Sequence, residues 1–144
     1  FKINEDYLNL YEVITKRAKS FPDSQIMGQR EILAIEDEAQ PDGKVLKKYR
    51  MKNEYSWMTY REMMDRVDNM AAGLLSIGIK SNDNIVIFAE TRQEWLISAI
   101  ACFKIKVPIV TLYSTLGMLA FLIVFLIFIH KMCFVTFSYL LLNR

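Results

Sequence analysis

Residues 84–113, NIVIFAETRQEWLISAIACFKIKVPIVTLY, decide how this chain folds. Ile85–Ala89 is a short apolar run rich in β-branched residues. It follows the polar turn KSNDN, and it suits a strand buried on both faces. Thr91 and Glu94 stand three apart, the spacing of a capping box, and open a helix expected to reach about Lys104. Val107–Tyr113 is the next short apolar run. The order strand, helix, strand predicts a parallel pair joined by a right-handed crossover. The fold class read from this stretch is α/β.

The sequence before it supplies the rest of a soluble unit. Residues 4–19, NEDYLNLYEVITKRAK, have the period of an amphipathic helix, with Asn4 as its expected cap and Glu5 and Asp6 at the positive end of the dipole. Tyr7, Leu8, Tyr11, Ile14 and Ala18 fall on one face, and Pro22 ends the segment. QREILAIE and KVLKKYRMK flank a Pro-Asp-Gly turn within Glu38–Lys44, which predicts a β-hairpin. EYSWMTY is expected as a third short strand. Thr59 and Glu62 form a first capping box. Met63, Val67, Met70, Ala71, Leu74 and Ile77 continue its helix as an apolar stripe. Gly78 stands where a left-handed residue ends it.

Beyond Gly117 the character changes. Met118–Leu142 holds sixteen Leu, Ile, Val or Phe residues in twenty-five. That length crosses a hydrocarbon core as a helix, and the apolar sum outweighs Lys131 near its middle. The expectation is an apolar helical tail, residues 118–144, with a candidate transmembrane segment at 118–142 that touches membrane lipid. Lys104 and Lys106 on its N-terminal side then keep residues 1–117 cytosolic. The alternative is a buried core helix or strand pair. Residues 1–117 alone are expected not to fold stably, because the parallel pair would keep open edges.

All sixteen acidic residues and sixteen of the eighteen basic ones precede Met118, so the first 117 residues are neutral overall. That balance argues against nucleic acid as a partner. Cys102 and Cys133 read as reduced, buried thiols. Residues 1–20 are too charged for a signal peptide, and a first residue of Phe fits a processed form or an incomplete piece. Potential sites are few. His130 lies in the apolar tail without a Ser or Asp arranged around it. Trp57 and Trp95 adjoin helix starts and read as packing anchors. Glu36–Glu38 reads as a solvated hairpin end. Arg30 and Glu31 read as paired surface charge, with a partner contact as the alternative. Both capping-box glutamates have structural explanations. No residue is nominated as catalytic, cofactor-binding or metal-binding. All five glycines are isolated, so no phosphate loop is present.

Several blocks together carry a resemblance. GQREIL (28–33), QPDGKV (40–45), YSWMTYREMMDRVDNMAAGL, IFAETRQEWLISAIACFK and PIVTLYSTLG resemble the N-terminal part of long-chain acyl-CoA synthetases, with the greatest likeness to the animal type 3/type 4 branch. The resemblance covers about residues 5–117. It implies an incomplete N-terminal portion of an adenylate-forming enzyme domain: a β-hairpin plus a strand–helix–strand unit. Such enzymes use ATP and magnesium to turn a fatty acid into an acyl-adenylate, then transfer the acyl group to coenzyme A, commonly at the endoplasmic reticulum. The family's phosphate loop and ribose-binding aspartate have no counterpart here, so the chain itself is expected to bind no cofactor. The break at Gly117/Met118 reads as a splice junction passed over, leaving a truncated, non-catalytic ligase. A membrane-anchored interaction or regulatory isoform is the alternative.

Overall fold

The computed structural model describes residues 8–81, 83–89, 91–112, 122 and 132–137. Helix α1 spans Leu10–Ser20. Its cap is Asn9, whose side chain accepts from the Glu12 N–H at 3.0 Å. The Glu12 carboxylate in turn accepts from the Leu8 N–H and the Asn9 amide. This reciprocal box starts the helix later than the sequence period implied. The expected cap Asn4, with Glu5, Asp6 and Tyr7, lies outside the described residues. Tyr11 and Ile14 pack on the core and Ala18 is buried. Leu8, expected on that face, is 89% exposed because it precedes the first turn.

Strands β1, Gln25–Ala39, and β2, Val45–Thr59, form an antiparallel hairpin. The Gln40 N–H donates to the Lys44 carbonyl and the Gly43 N–H to the Gln40 carbonyl, with Gly43 at φ +82. EYSWMTY does not form the expected third strand: its first five residues continue β2. The pattern break there is an irregularity, not a strand end. Arg30 pairs with Tyr55 and Ile32 with Met51, so Lys52, Asn53 and Glu54 lie opposite Glu31 alone. Arg30 compensates for the lost ladder. Its Nε donates to the Lys52 carbonyl at 2.6 Å and its Nη2 to the Met51 carbonyl at 3.4 Å. Toward the tip, Glu36, Asp37 and Glu38 face Arg50, Lys47 and Lys48 across the strands.

Thr59 caps α2, Tyr60–Ser76, and the predicted box is complete. The Thr59 N–H donates to Glu62 Oε2 at 2.8 Å, and the Glu62 N–H donates to Thr59 Oγ1 at 3.3 Å. The Thr59 N–H, and then its side chain, hold the Glu62 carboxyl below its ordinary 4.5. The stabilisation is therefore present above that value and is lost as pH falls through the lowered one. Met63, Val67, Ala71 and Leu74 are buried as the stripe predicted, and Met70 is half-buried. Ile77 is exposed, because it is the C-cap and has left the inner face.

Strand β3, Asn84–Ala89, helix α3, Gln93–Lys104, and strand β4, Ile109–Leu112, form the predicted parallel unit. A further strand, β5, Met132–Phe137, pairs parallel with the other edge of β3. The order is β4-β3-β5. Ile85 and Ile87 join Leu74, Ala99, Cys102 and Val107 in one cluster, and Val86 is equally buried. A second cluster fills the space between α2 and α3, around Met63, Val67, Ala71, Ile97, Ile100 and Ala101. Residues 132–137 therefore correct the helical reading of the tail. A buried β3 has N–H and C=O groups on two edges, and each needs a partner. The rest of 118–142, apart from Leu122, lies outside the described residues. Among the described residues no helix is long and apolar enough to cross a membrane.

Helices α2 and α3 end in the same bond pattern. The Gly78 N–H donates to Leu75 and the Ile79 N–H to Leu74; the Lys106 N–H donates to Phe103 and the Val107 N–H to Cys102. Gly78 sits at φ +89, but the equivalent residue of α3 is Lys106 at φ +59. A side chain in that left-handed region costs about 1–2 kcal/mol. Lys106→Gly removes the cost and gives part of it back as unfolded-chain entropy. Denaturant unfolding is expected to show a net gain of roughly 0.5–1 kcal/mol. Unchanged or lower stability refutes the account. Deleting 118–144 removes β5 and reopens the edge of β3. The shortened chain is expected to lose its cooperative thermal transition and to aggregate, and a monomeric, cooperative melt from residues 1–117 would overturn this.

Candidate functional site

The most developed concavity is a cleft of about 390 Å³ where the base of the hairpin meets the first turns of α2 and α3. Gln29, Glu31, Ser56 and Met58 come from the hairpin, Glu62 and Arg66 from α2, and Gln93 from α3. Antiparallel pairing puts Gln29 opposite Ser56, and the same face carries Met58 into the core. Gln93 Nε2 donates to Gln29 Oε1 at 2.6 Å, tying α3 to the hairpin across the cleft. Nothing in the sequence pattern flags this bond, since 64 residues separate its partners.

On the outer face of the same strands, Trp57 lies over Gly28. A methyl group on Gly28 would meet the indole at 2.9 Å, so only glycine lets the ring lie this close. The Tyr55 ring stands 5.6 Å from that of Trp57, and the Arg30 guanidinium lies 5.9 Å from the Tyr55 ring centre. Trp57 is thus a packing residue that remains half exposed. Trp95 packs against the cluster around β3.

The loop after β3 departs from its predicted form. Arg92, not Thr91, is the N-cap of α3, and no side chain caps the first turn. Glu94 turns to the Arg92 guanidinium, with Nε to Oε2 at 2.8 Å. The Arg92 side chain is only 6% exposed. A guanidinium taken out of water needs a carboxylate far more than a helix end needs a cap. That competition is why one T-x-x-E pattern forms a box and the other does not. Farther along, Lys104 donates to Asp68 at 2.7 Å and joins α3 to α2. This bond holds the lysine pKa above its ordinary value.

The remaining predicted positions are scattered. Arg30 and Glu31 do not pair with each other: Arg30 serves the bulge carbonyls, and Glu31 faces Lys52 at 3.9 Å. Glu36–Glu38 belong to the exposed ladder. Cys102 is a buried free thiol. Cys133 contributes backbone to β5, and His130 lies outside the described residues. Among the described residues no three His, Cys, Asp or Glu side chains gather as metal ligands. The cleft can therefore hold and orient polar groups. It does not present a nucleophile beside a base, because Ser56 has no histidine near it among the described residues.

Comparison with known proteins gives this fold a family. The family model described as AMP-binding enzyme matches residues 34–120. Long chain acyl-CoA synthetase 8 of Arabidopsis thaliana is 35% identical over 99 residues, 69% of this chain and 14% of that protein. Long-chain-fatty-acid–CoA ligase 5 of Mus musculus is 40% identical over 72 residues, 48% of this chain and 10% of that protein. The chain thus spans about a seventh or less of the length of these relatives. The adenylation domain of a carboxylate reductase from Mycobacterium chelonae superposes with a TM-score of 0.71 at 22% identity, over 92% of this chain and 20% of that one. That share is larger than residues 1–117 could supply alone, so the likeness in fold reaches beyond Gly117. The chain belongs to the family of AMP-binding enzymes, and its relatives within that family include plant and animal long-chain acyl-CoA synthetases.

Proposed function

We propose that this chain is the N-terminal scaffold of a long-chain-fatty-acid–CoA ligase and makes no acyl-CoA by itself. The observation that carries this reading is the sustained similarity to long-chain synthetases across the hairpin and the β3–α3–β4 unit. In the full-length enzymes the fatty carboxylate attacks the α-phosphorus of ATP, pyrophosphate leaves, and the acyl group passes to the coenzyme A thiol. The finer placement in the animal type 3/type 4 branch rests on the sequence blocks alone. The location that goes with this reading is the cytosolic face of the endoplasmic reticulum.

The residues of this chain do not fit ATP and magnesium. A leaving pyrophosphate needs backbone N–H donors brought close together, usually by a glycine-rich loop, and cations to absorb its charge. Here Gly43 and Gly78 serve tight turns and Gly28 serves the indole of Trp57. Arg30 and Arg92 are committed to carbonyls and to a carboxylate. No catalytic step is routed through these residues. The test is pyrophosphate release by the purified 144-residue chain with ATP, magnesium, coenzyme A and a long-chain fatty acid. No turnover above a boiled control is expected, and reproducible turnover in material free of host ligase overturns the proposal.

A further inference from the structure

Helix α1 carries two stripes. Tyr11, Ile14 and Ala18 face the core, while Leu10 and Val13 point away from it at 58% and 40% exposed, with Phe21 at 45% beyond the last turn. An outward apolar stripe is not needed for folding, and a solvated helix would normally carry polar residues there. Its charges are uneven as well. Lys16, Arg17 and Lys19 lie on the helix against a single acid, Glu12, whose carboxylate is occupied by the N-terminal box. The Arg17 guanidinium lies 3.9 Å from the Phe21 ring centre, so cation and aromatic ring sit side by side at the surface. At its other end the stripe runs into a groove of about 820 Å³ between the start of α1 and the turn from α3 to β4. Leu10, Phe103, Pro108 and Ile109 give that groove an apolar lining, and Lys106 stands at its edge.

Exposed aliphatic and aromatic side chains interleaved with cations are the composition of a helix lying in a lipid headgroup layer. We propose that this face, the outer stripe of α1 with Phe21 and the adjoining groove, docks on a membrane surface bearing anionic lipid. Leu10, Val13 and Phe21 enter the boundary between headgroups and acyl chains, while Arg17, Lys19 and Lys106 meet the lipid phosphates. The contact is peripheral, needs no membrane-spanning segment, and stands independently of the ligase reading. Charge complementarity selects this occupant over an apolar protein partner: the cations flank the apolar stripe, and the helix's one acid is already engaged by backbone and amide donors.

The test is flotation of the whole 144-residue chain with phosphatidylcholine vesicles, with and without phosphatidylserine. Binding is expected to be stronger with phosphatidylserine and to weaken as salt rises. Leu10→Glu with Val13→Glu is expected to lower affinity at least tenfold. Arg17→Glu with Lys19→Glu, which leaves the apolar stripe intact, is expected to do the same, at about fivefold or more per reversed charge. Both variants are checked for an unchanged far-UV dichroism spectrum, and the charge variant decides if the first fails to fold. Equal binding of the folded variants and the parent chain would mean that other residues drive partition, and would overturn the proposal. Equal binding to neutral and anionic vesicles would overturn it too.

Discussion

The pairing of β3 on both edges is the constraint from which the rest of the molecule follows. Ile85, Val86 and Ile87 are all fully buried, so the N–H and C=O groups of their backbone have no water to turn to. Each one left unpaired costs on the order of 1–3 kcal/mol. β4 satisfies one edge through the register Ile85–Ile109 to Phe88–Leu112, and β5 satisfies the other through Asn84–Met132 to Ala89–Phe137. Helix α3 can cover β3 only because its C-terminal turn reverses the chain tightly enough to start β4. That reversal is what places Lys106 in a left-handed backbone conformation. α2 then packs on α3 through Ala71 and Ala101, small residues that let two helices approach closely.

What could be read from the sequence was whatever depended on neighbours in the chain. The capping box at Thr59 and Glu62, the stripe from Met63 to Leu74, the turn at Gly43 and the order β3–α3–β4 all rest on spacings of a few residues, and the structure has them. Long-range competition decided the rest. Glu94 has the right spacing to cap α3 but answers to the buried Arg92 guanidinium instead. The polar run Lys52–Glu54 looks like the end of a strand. It is tolerated inside β2 because Arg30, 22 residues away, supplies donors for its carbonyls. The Gln29–Gln93 bond across the cleft has no sequence signature of any kind.

The tail shows the same limit at a larger scale. Hydropathy measures how much a segment gains by leaving water. It does not say whether lipid or protein receives it. MCFVTF mixes β-branched and aromatic residues, a composition that fits a pleated, half-buried surface as readily as it fits a bilayer. The deciding fact is the open edge of β3, and that edge lies some forty-five residues earlier in the chain. A window sliding along the tail cannot see it.

The polar groups around the cleft explain why so many charges in one place need not signal chemistry. An acid–base or phosphate site keeps side chains with valence to spare, aimed at a space the substrate will fill. Here the valences are already used. Arg30 spans the bulge, Glu62 closes the cap of α2, Glu31 faces Lys52, Glu94 holds Arg92, and Gln93 is bound to Gln29. Each of these interactions joins one element to itself or to its neighbour. Freeing any of the charged groups for a ligand would leave a carbonyl, an amide or a guanidinium without its partner. The cleft is consistent with a joint: its polar groups orient the hairpin against α2 and α3, and through them against the sheet.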